Sequence, residues 1–188
     1  MKEIIKKARE YALAEIEKYG TPYIEHFYLS EEKGQMLAEA LKADKDIVKL
    51  GTYFMDLKIG QAWKENRLDD HIAMSIEAAK EFFEQFTISD DVKNKVLHCI
   101  EAHHATVPFK TIEAEVCANA DCYRFLHPRG FLGYFMLSGS RKMTFEQALE
   151  MSEKKLDEKW GIVSLDICKK ELEPYYKILK QLISDSTL

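Results

Sequence analysis

Apolar residues recur along most of the chain at intervals of three and four, which is the period of an amphipathic helix. Gly20 is expected to end a first helix over 2–18, and Thr21 and Pro22 suit the N-cap and first position of a second helix that reaches about residue 42. The first apolar stripe consists of Ile5, Ala8, Ala12 and Ile16. The pattern therefore predicts two long helices at the start of the chain.

The middle of the chain continues in the same way. Asp44 is expected to cap a third helix over 45–57, and its mostly apolar composition predicts a central position. Residues 58–68 are interpreted as a connection. A fourth helix is predicted to start at Asp69 or Asp70 and to end near residue 86.

Capping signals mark the remaining helices. Acidic residues after Ser89 suit the start of a fifth helix that ends near residue 104, because they face the positive end of the helix dipole. Thr111 is expected to start a sixth helix, which ends before His127 and Pro128. The stretch 131–137 is left open as a buried helix, a pocket lid or a dimer contact.

Two further helices are predicted near the carboxyl end. Thr144 and Gln147 form a capping-box signature, and Ser164 is expected to cap a last helix with an irregularity at Pro174. The sequence has no strand-like alternation, internal repeat or linker. It therefore predicts an all-α, multi-helix bundle forming a single domain over 1–188.

Composition narrows the functional classes. The chain has 188 residues, 46% of them hydrophobic, which suffices for one core, and a formal net charge of −5 disfavours nucleic-acid binding through a basic patch. The apolar stretch 130–137 is too short to span a bilayer, and the charged residues 1–10 are unlike a signal or transit peptide. Four cysteines without a Cys-x-x-Cys pair suit reduced thiols in a cytoplasmic protein.

Several histidines and aspartates stand at positions that call for a partner. On the fifth helix, His103 falls at the centre of the apolar face, His104 at its edge, and His98 on the far side, where it is expected to be solvated. A buried imidazole needs a hydrogen-bond partner or a metal ion. Taken alone, an inward histidine of this kind is more often structural.

Two aspartates and two more histidines extend this set. Asp56 ends an apolar helix, where a carboxylate must be paired, bind a cation or shift its pKa, and Asp121 follows small residues on the sixth helix. His26 and His71 lie near the starts of their helices. Imidazole and carboxylate ligands without cysteine suit one or two divalent ions of Mn, Fe, Co, Ni, Mg or Zn.

The order of these residues resembles the HD superfamily of metal-dependent phosphohydrolases. The family pattern is a His, a His-Asp doublet at the end of a buried helix, further histidines and a distal Asp. The resemblance covers about residues 20 to 130, and the helices over 140–188 are expected to pack on that part. The matching segments are His26 with Gly34-Gln-Met-Leu-Ala38, Thr52-Tyr-Phe-Met-Asp-Leu-Lys-Ile-Gly60, Asp70-His71-Ile-Ala-Met-Ser-Ile76, Ile100-Glu-Ala-His-His104 and Thr111-Ile-Glu-Ala-Glu-Val-Cys-Ala-Asn-Ala-Asp121.

Met55 departs from the family pattern, because it stands where the doublet has its histidine. The resemblance implies a first metal site, of which His26, Asp56 and Asp121 remain. A thioether is too soft to replace imidazole for a hard cation. The resemblance also implies a second site, for which the candidate ligands are Asp56, His71 and His103.

The resemblance implies a metal-dependent phosphohydrolase that acts on a phosphomonoester or a nucleotide-like phosphodiester. Asp56 would hold the ion that activates water, Lys58 would neutralise phosphate charge or assist proton transfer, and Arg124 would bind a phosphate oxygen. Ordinary surface charge is an equal alternative for Lys58 and Arg124. The alternative for the whole chain is a degenerate module that binds metal or nucleotide without catalysis, and a purely structural bundle is the third. A homodimer stays open.

Overall fold

The computed structural model describes residues 1–187, and within them the chain is helical with no strand. This confirms the predicted all-α class. None of the helices in this range is both long and apolar enough to span a membrane. The helices are α1 (Lys2–Tyr19), α2 (Ile24–Leu41), α3 (Lys45–Phe54), α4 (Ile59–Lys64), α5 (His71–Phe83), α6 (Asp90–Ala102), α7 (Ile112–Leu126), α8 (Pro128–Ser140), α9 (Phe145–Ile162) and α10 (Asp166–Ser186), with a 3-10 turn at Leu68–Asp70.

Side-chain caps begin four of the helices where the sequence predicts them. The Asp44 carboxylate accepts hydrogen bonds from the first turn of α3, and Ser89 and Thr111 do the same for α6 and α7. The capping box of Thr144 and Gln147 is formed at α9. Local capping chemistry therefore fixes these helix starts.

Several predicted boundaries are wrong, among them the ends of the third and fourth predicted helices, which lie at Phe54 and Phe83 instead of near 57 and 86. The hydroxyl of Thr21 accepts a hydrogen bond from Arg141 instead of capping, so α2 begins two residues beyond Pro22. The predicted connection 58–68 contains the short helix α4. At the last helix, Ser164 bonds with Asn119, Leu165 becomes the N-cap, and α10 continues through Pro174.

Helix α7 lies at the centre of the molecule. Twelve of its residues are buried, and it contacts α2, α3, α6, α8, α9 and α10. Its small residues Ala114, Ala118 and Ala120 allow these neighbours to approach closely. The turn after α3 meets α7 through Asp56, and the last turn of α9 meets it through Lys159.

The stretch 131–137 lies within α8, which packs against α2, α7 and α9. Phe131 and Leu137 are buried, whereas Leu132 and Met136 are largely exposed. The stretch is therefore part of a helix with one buried face, and a role as a pocket lid or dimer contact stays a prediction.

Candidate metal centre

Three side chains from different helices meet at the end of α3. Asp56 lies in the turn after α3, His71 is the first residue of α5, and His103 follows the last residue of α6. The Nε2 atoms of both histidines lie 3.5 Å from the same atom, Oδ1 of Asp56. All three residues are buried.

In each histidine, the hydrogen-bond partner of Nδ1 determines which ring nitrogen carries the proton in the neutral form. Nδ1 of His71 lies 2.7 Å from the carbonyl oxygen of Leu68, and Nδ1 of His103 lies 2.7 Å from that of Ile100. A carbonyl oxygen only accepts, so each Nδ1 must carry the proton. A neutral ring in this tautomer presents the lone pair of Nε2 towards Asp56, which is the arrangement typical of metal-binding histidines.

The inner atoms of this group are left without partners. Oδ1 of Asp56 and both Nε2 atoms are buried and make no hydrogen bond with any residue in the described range. Buried polar atoms are normally satisfied, and leaving one unpaired costs about 1–3 kcal/mol. Three such atoms that face one another would be satisfied by a cation bound between them, or by a proton on either histidine.

His104 completes a group of four candidate ligands. One ligand atom from each of Asp56, His71, His103 and His104 lies within 4.8 Å of all the others. Burial, with the charges of His103 and Lys159, lowers the pKa of His104 to about 3, so its ring is unprotonated at neutral pH.

The donor set fits a borderline transition-metal ion. Two ligand atoms of one tetrahedral zinc ion lie roughly 3.4 Å apart, since each is about 2.1 Å from the metal. The two 3.5 Å separations in this cluster are close to that value. Imidazole nitrogens with one carboxylate suit Zn, Fe, Co, Ni or Mn better than Mg or Ca.

The second oxygen of Asp56 and both oxygens of Asp121 are bound by positively charged side chains. Arg124 lies one turn after Asp121 on α7 and donates from Nη1 both to Oδ2 of Asp56 and, over 2.7 Å, to Oδ1 of Asp121. Lys159 of α9 places its Nζ 2.7 Å from Oδ2 of Asp121. All four side chains are buried. Asp121 is therefore neutralised by Arg124 and Lys159 and does not join the histidines.

The pKa values follow from these contacts. Burial alone would raise the pKa of both carboxyl groups. The positive charges of Lys159 and Arg124 outweigh it at Asp121 and hold its pKa below the usual range. At Asp56, Arg124 has the larger effect, followed by His103 and His71, and the pKa is again well below normal. Both aspartates are therefore ionised, and Asp56 has one charged oxygen facing the histidines.

His26 lies nearby but its ring is used differently. Its Nε2 lies 2.8 Å from the carbonyl oxygen of Gly130 and so carries a proton that it donates. The ring packs against Phe125 and Tyr134. Burial, with the charge of Arg124, lowers its pKa to about 3. Of the five ligands proposed from the sequence, the structure thus brings Asp56, His71 and His103 together, but not His26 and Asp121.

Other residues singled out from the sequence lie elsewhere or have other partners. Nζ of Lys58 is 3.0 Å from Glu15 and lies over the ring of Tyr11, so this side chain is not at the cluster. Arg124 is buried against the two aspartates rather than free to meet a phosphate group.

The prediction that His98 is solvated is wrong. The residue is buried, and its Nε2 accepts a hydrogen bond from the backbone N–H of Lys110. The loop after α6 folds back over this histidine and covers it. Helical periodicity alone gives no sign of this contact.

A cavity of about 160 Å³ opens beside the cluster. Its polar lining includes four cations, namely Arg124, Arg141, Lys155 and Lys159. The rest is mainly apolar and includes Pro22, Ile59, Trp63, Leu68, Phe125, Tyr134, Leu137, Met143 and Met151. Asp56, His71 and His104 also line it, together with His26 and Asp121, so a ligand in the cavity would reach the candidate metal ligands.

Two residues of this region, Lys159 and Arg141, were not predicted. Lys159 had a usable signal, because it continues the buried stripe of α9 formed by Leu149, Ser152 and Leu156, where a lysine needs a charged partner. Arg141 had no such signal, since it follows α8 in a polar segment.

No family model matches the chain. Its fold is similar to that of the crystal structure of the Lin1889 protein from Listeria innocua, with a TM-score of 0.69 and 15% sequence identity. The match covers 98% of this chain and 93% of that one. At this level of identity, the chain shares the fold of that protein.

Proposed function

We propose that this protein is a metal-dependent phosphohydrolase of the HD type. The observation that carries the proposal is the convergence of three unpaired buried atoms, Oδ1 of Asp56 and Nε2 of His71 and His103. They lie beside a cavity lined by four cations and two aspartates. Such a combination suits a divalent ion and a phosphate ester bound next to each other.

Each residue of the cluster has a role in this proposal. Asp56, His71 and His103 would hold the ion, with His104 as a further ligand. When bound, a divalent ion lowers the pKa of water and withdraws charge from phosphoryl oxygens. Arg124 keeps Asp56 ionised and fixes its orientation, since it bonds to the oxygen that faces away from the histidines.

The cavity limits the class of substrate. Arg141 and Lys155, which are not bound to the two aspartates, suit the charge of a phosphate group, and the apolar walls suit an organic group attached to it. A volume of about 160 Å³ favours a small phosphomonoester, although its opening to solvent lets a nucleotide-like phosphodiester extend outwards. Four buried cysteines without disulfides agree with action in a reducing compartment such as the cytoplasm.

A second candidate is a binding module that no longer hydrolyses its ligand. It is favoured by Met55, which stands in place of a histidine. It is also favoured by Arg124, which lies between Asp56 and Asp121, where the ion of the first metal site would otherwise be held. A guanidinium can neutralise two carboxylates, but it cannot activate water.

The two candidates are separated by metal content and hydrolysis measured on the same samples. Untagged protein would be analysed for bound metal, loaded with Mn, Zn, Ni, Co or Fe, and assayed with phosphomonoesters and phosphodiesters. His71→Gln and His103→Gln should each lower both the metal content and hydrolysis at least tenfold. His127→Gln is the matched control, because His127 lies apart from the cluster, where its ring packs against Tyr175 and its Nδ1 accepts a hydrogen bond from the N–H of Arg129. Bound metal without hydrolysis of any ester would favour the binding module.

The histidine variants also protect the test against misfolding. Asp56→Asn would leave Arg124 with an uncompensated buried charge, so its effects mix stability with metal binding. Hydrolysis that persists in both histidine variants at the level of the unaltered protein would reject the proposed site.

A further inference from the structure

Arg141 is the cation in the cavity that lacks a carboxylate partner. Within residues 1–187, Arg124 and Lys159 are paired with aspartates and Lys155 with Glu158, whereas no acidic group lies within 4.0 Å of Arg141. Its Nε is buried and makes no hydrogen bond in that part of the chain. Its charge is thus uncompensated by the protein.

The position of Arg141 is nevertheless well defined. Its guanidinium carbon lies 4.0 Å from the ring centroid of Trp63, which is the distance of a cation–π contact. Its Nη2 donates a hydrogen bond of 2.8 Å to the hydroxyl of Thr21. One face and one edge of the guanidinium are therefore held by the protein. Nε is buried within the protein, whereas Nη1 makes no hydrogen bond in the described range and is left for another acceptor.

Arg141 is half-buried, so its unpaired charge is partly deprived of water. Loss of water around Arg141 lowers the pKa of its side chain from the usual value. An anionic ligand in the cavity would remove this penalty, because a charge-assisted, two-pronged hydrogen bond to an oxyanion satisfies both the charge and the free N–H groups. Lys155, which lines the same cavity, would add a second positive charge.

We propose that Arg141 receives the phosphate group of an organic phosphate whose apolar part lies against the walls of this cavity. The choice of phosphate over another oxyanion rests on the proposed function. The ligand class follows from the lining itself, since Ile59, Phe125 and Leu137 offer apolar contact close to the cations. Arg141 is thus a substrate-binding residue that acts separately from the metal ligands.

The test measures binding in the absence of metal. The full chain would be treated with a chelator and titrated with phenyl phosphate, inorganic phosphate and phenol by calorimetry. A Trp160→Phe background leaves Trp63 as the sole tryptophan, because the chain has two, and Trp160 stacks on Tyr176 away from the cavity. Fluorescence of Trp63 then reports directly on its contact with Arg141.

Phenyl phosphate should bind more tightly than either inorganic phosphate or phenol, and it should change the fluorescence of Trp63. Arg141→Gln should weaken its binding at least tenfold, which corresponds to about 1.4 kcal/mol. Arg141→Lys keeps the charge without the planar fork and should weaken it less. The matched control is Arg129→Gln, which removes the same charge from an exposed arginine paired with Glu25.

The proposal is overturned if the unaltered protein fails to bind phenyl phosphate at millimolar concentration, or if both Arg141 variants bind it as the unaltered protein does. Circular dichroism establishes that each variant is folded, and Arg141→Lys decides the matter if the glutamine variant is not. Binding through Arg141 without hydrolysis in any metal-loaded sample would refute the phosphohydrolase and leave the anion site intact. Hydrolysis that is unchanged in the Arg141 variants would refute the anion site and leave the phosphohydrolase intact.

Discussion

Lys159 holds its ammonium nitrogen 2.7 Å from Oδ2 of Asp121, and each side chain is only 1% exposed. The pair joins α9 to the central helix α7. Isolated charges at such depth are not tolerated, so each residue depends on the other. A metal ion is therefore not needed to explain why an aspartate is buried at position 121.

This dependence predicts a large loss of stability when the lysine is removed. Lys159→Met should lower the free energy of unfolding by roughly 3–5 kcal/mol, because it leaves part of the charge of Asp121 uncompensated. Urea unfolding measures the change. Lys180→Met removes a lysine whose partners Glu153 and Asp157 are exposed, and it should cost less than about 1 kcal/mol. Equal losses in the two variants would contradict the assigned role of Lys159.

Much of the fold could be predicted from the sequence, because capping residues next to each helix in the chain determine where the helix starts. Asp44, Ser89, Thr111 and Thr144 each cap a helix at the expected place. Thr21 looks like a cap in the sequence and is not one, since its hydroxyl is taken by Arg141, 120 residues away. Boundaries set by such distant contacts cannot be predicted from local pattern.

The candidate site could likewise be predicted only in part. Asp56, His71 and His103 could be singled out because polar residues at the ends or on the apolar faces of helices require a partner. Which atoms stay unpaired could not be predicted, because Asp121 and His26 meet the same criterion. Only the contacts with Lys159 and Gly130 show that these two are already satisfied within the chain.

Introducing a histidine at position 55 should not create a metal site in addition to the cluster on Asp56. The Met55 side chain is buried and lines a small hollow with Ala12, Ile16 and Phe27, close to the guanidinium of Arg124. An imidazole there would be buried among apolar groups beside a cation. Met55→His should therefore lower stability by about 1–3 kcal/mol without raising the metal-to-protein ratio.

Elemental analysis before and after metal loading checks this expectation. Met36→His adds the same residue at an exposed position and controls for non-specific uptake. A second ion per chain in the Met55 variant alone would show that Arg124 yields its position, and would favour a decayed two-ion site.

Metal binding should stabilise the fold through the cluster on Asp56. An ion at a hundred times its dissociation constant adds about 2.7 kcal/mol to the free energy of unfolding. Thermal unfolding with and without Zn or Ni should show this gain in the unaltered protein. His71→Gln should abolish it, whereas His98→Gln should not, because His98 bonds to the loop after α6 and not to the cluster. An equal gain in all three proteins would mean that the ion binds elsewhere.

Stability should fall between pH 7 and pH 5 because of His26 and His104, whose pKa values are both lowered to about 3, and the contribution of His26 can be measured separately. Burial and then Arg124 lower its pKa to about 3 in the fold, opposed by weaker effects of the Gly130 carbonyl and of the carboxylates of Asp121 and Asp56. The unfolded chain titrates near 6.5 and thus binds more protons below that pH, so protonation favours unfolding as the pH falls. For metal-free protein, this group alone should remove roughly 2 kcal/mol from pH 7 to pH 5. His26→Gln keeps a donor for Gly130 but cannot titrate, so its unfolding free energy should depend less on pH by about that amount.

The two aspartates have pKa values below their normal range and lose their contribution only below about pH 4, outside this window. Parallel pH profiles for the two proteins in urea unfolding would show that His26 is protonated in the fold, and would remove the basis for its neutral role beside Arg124.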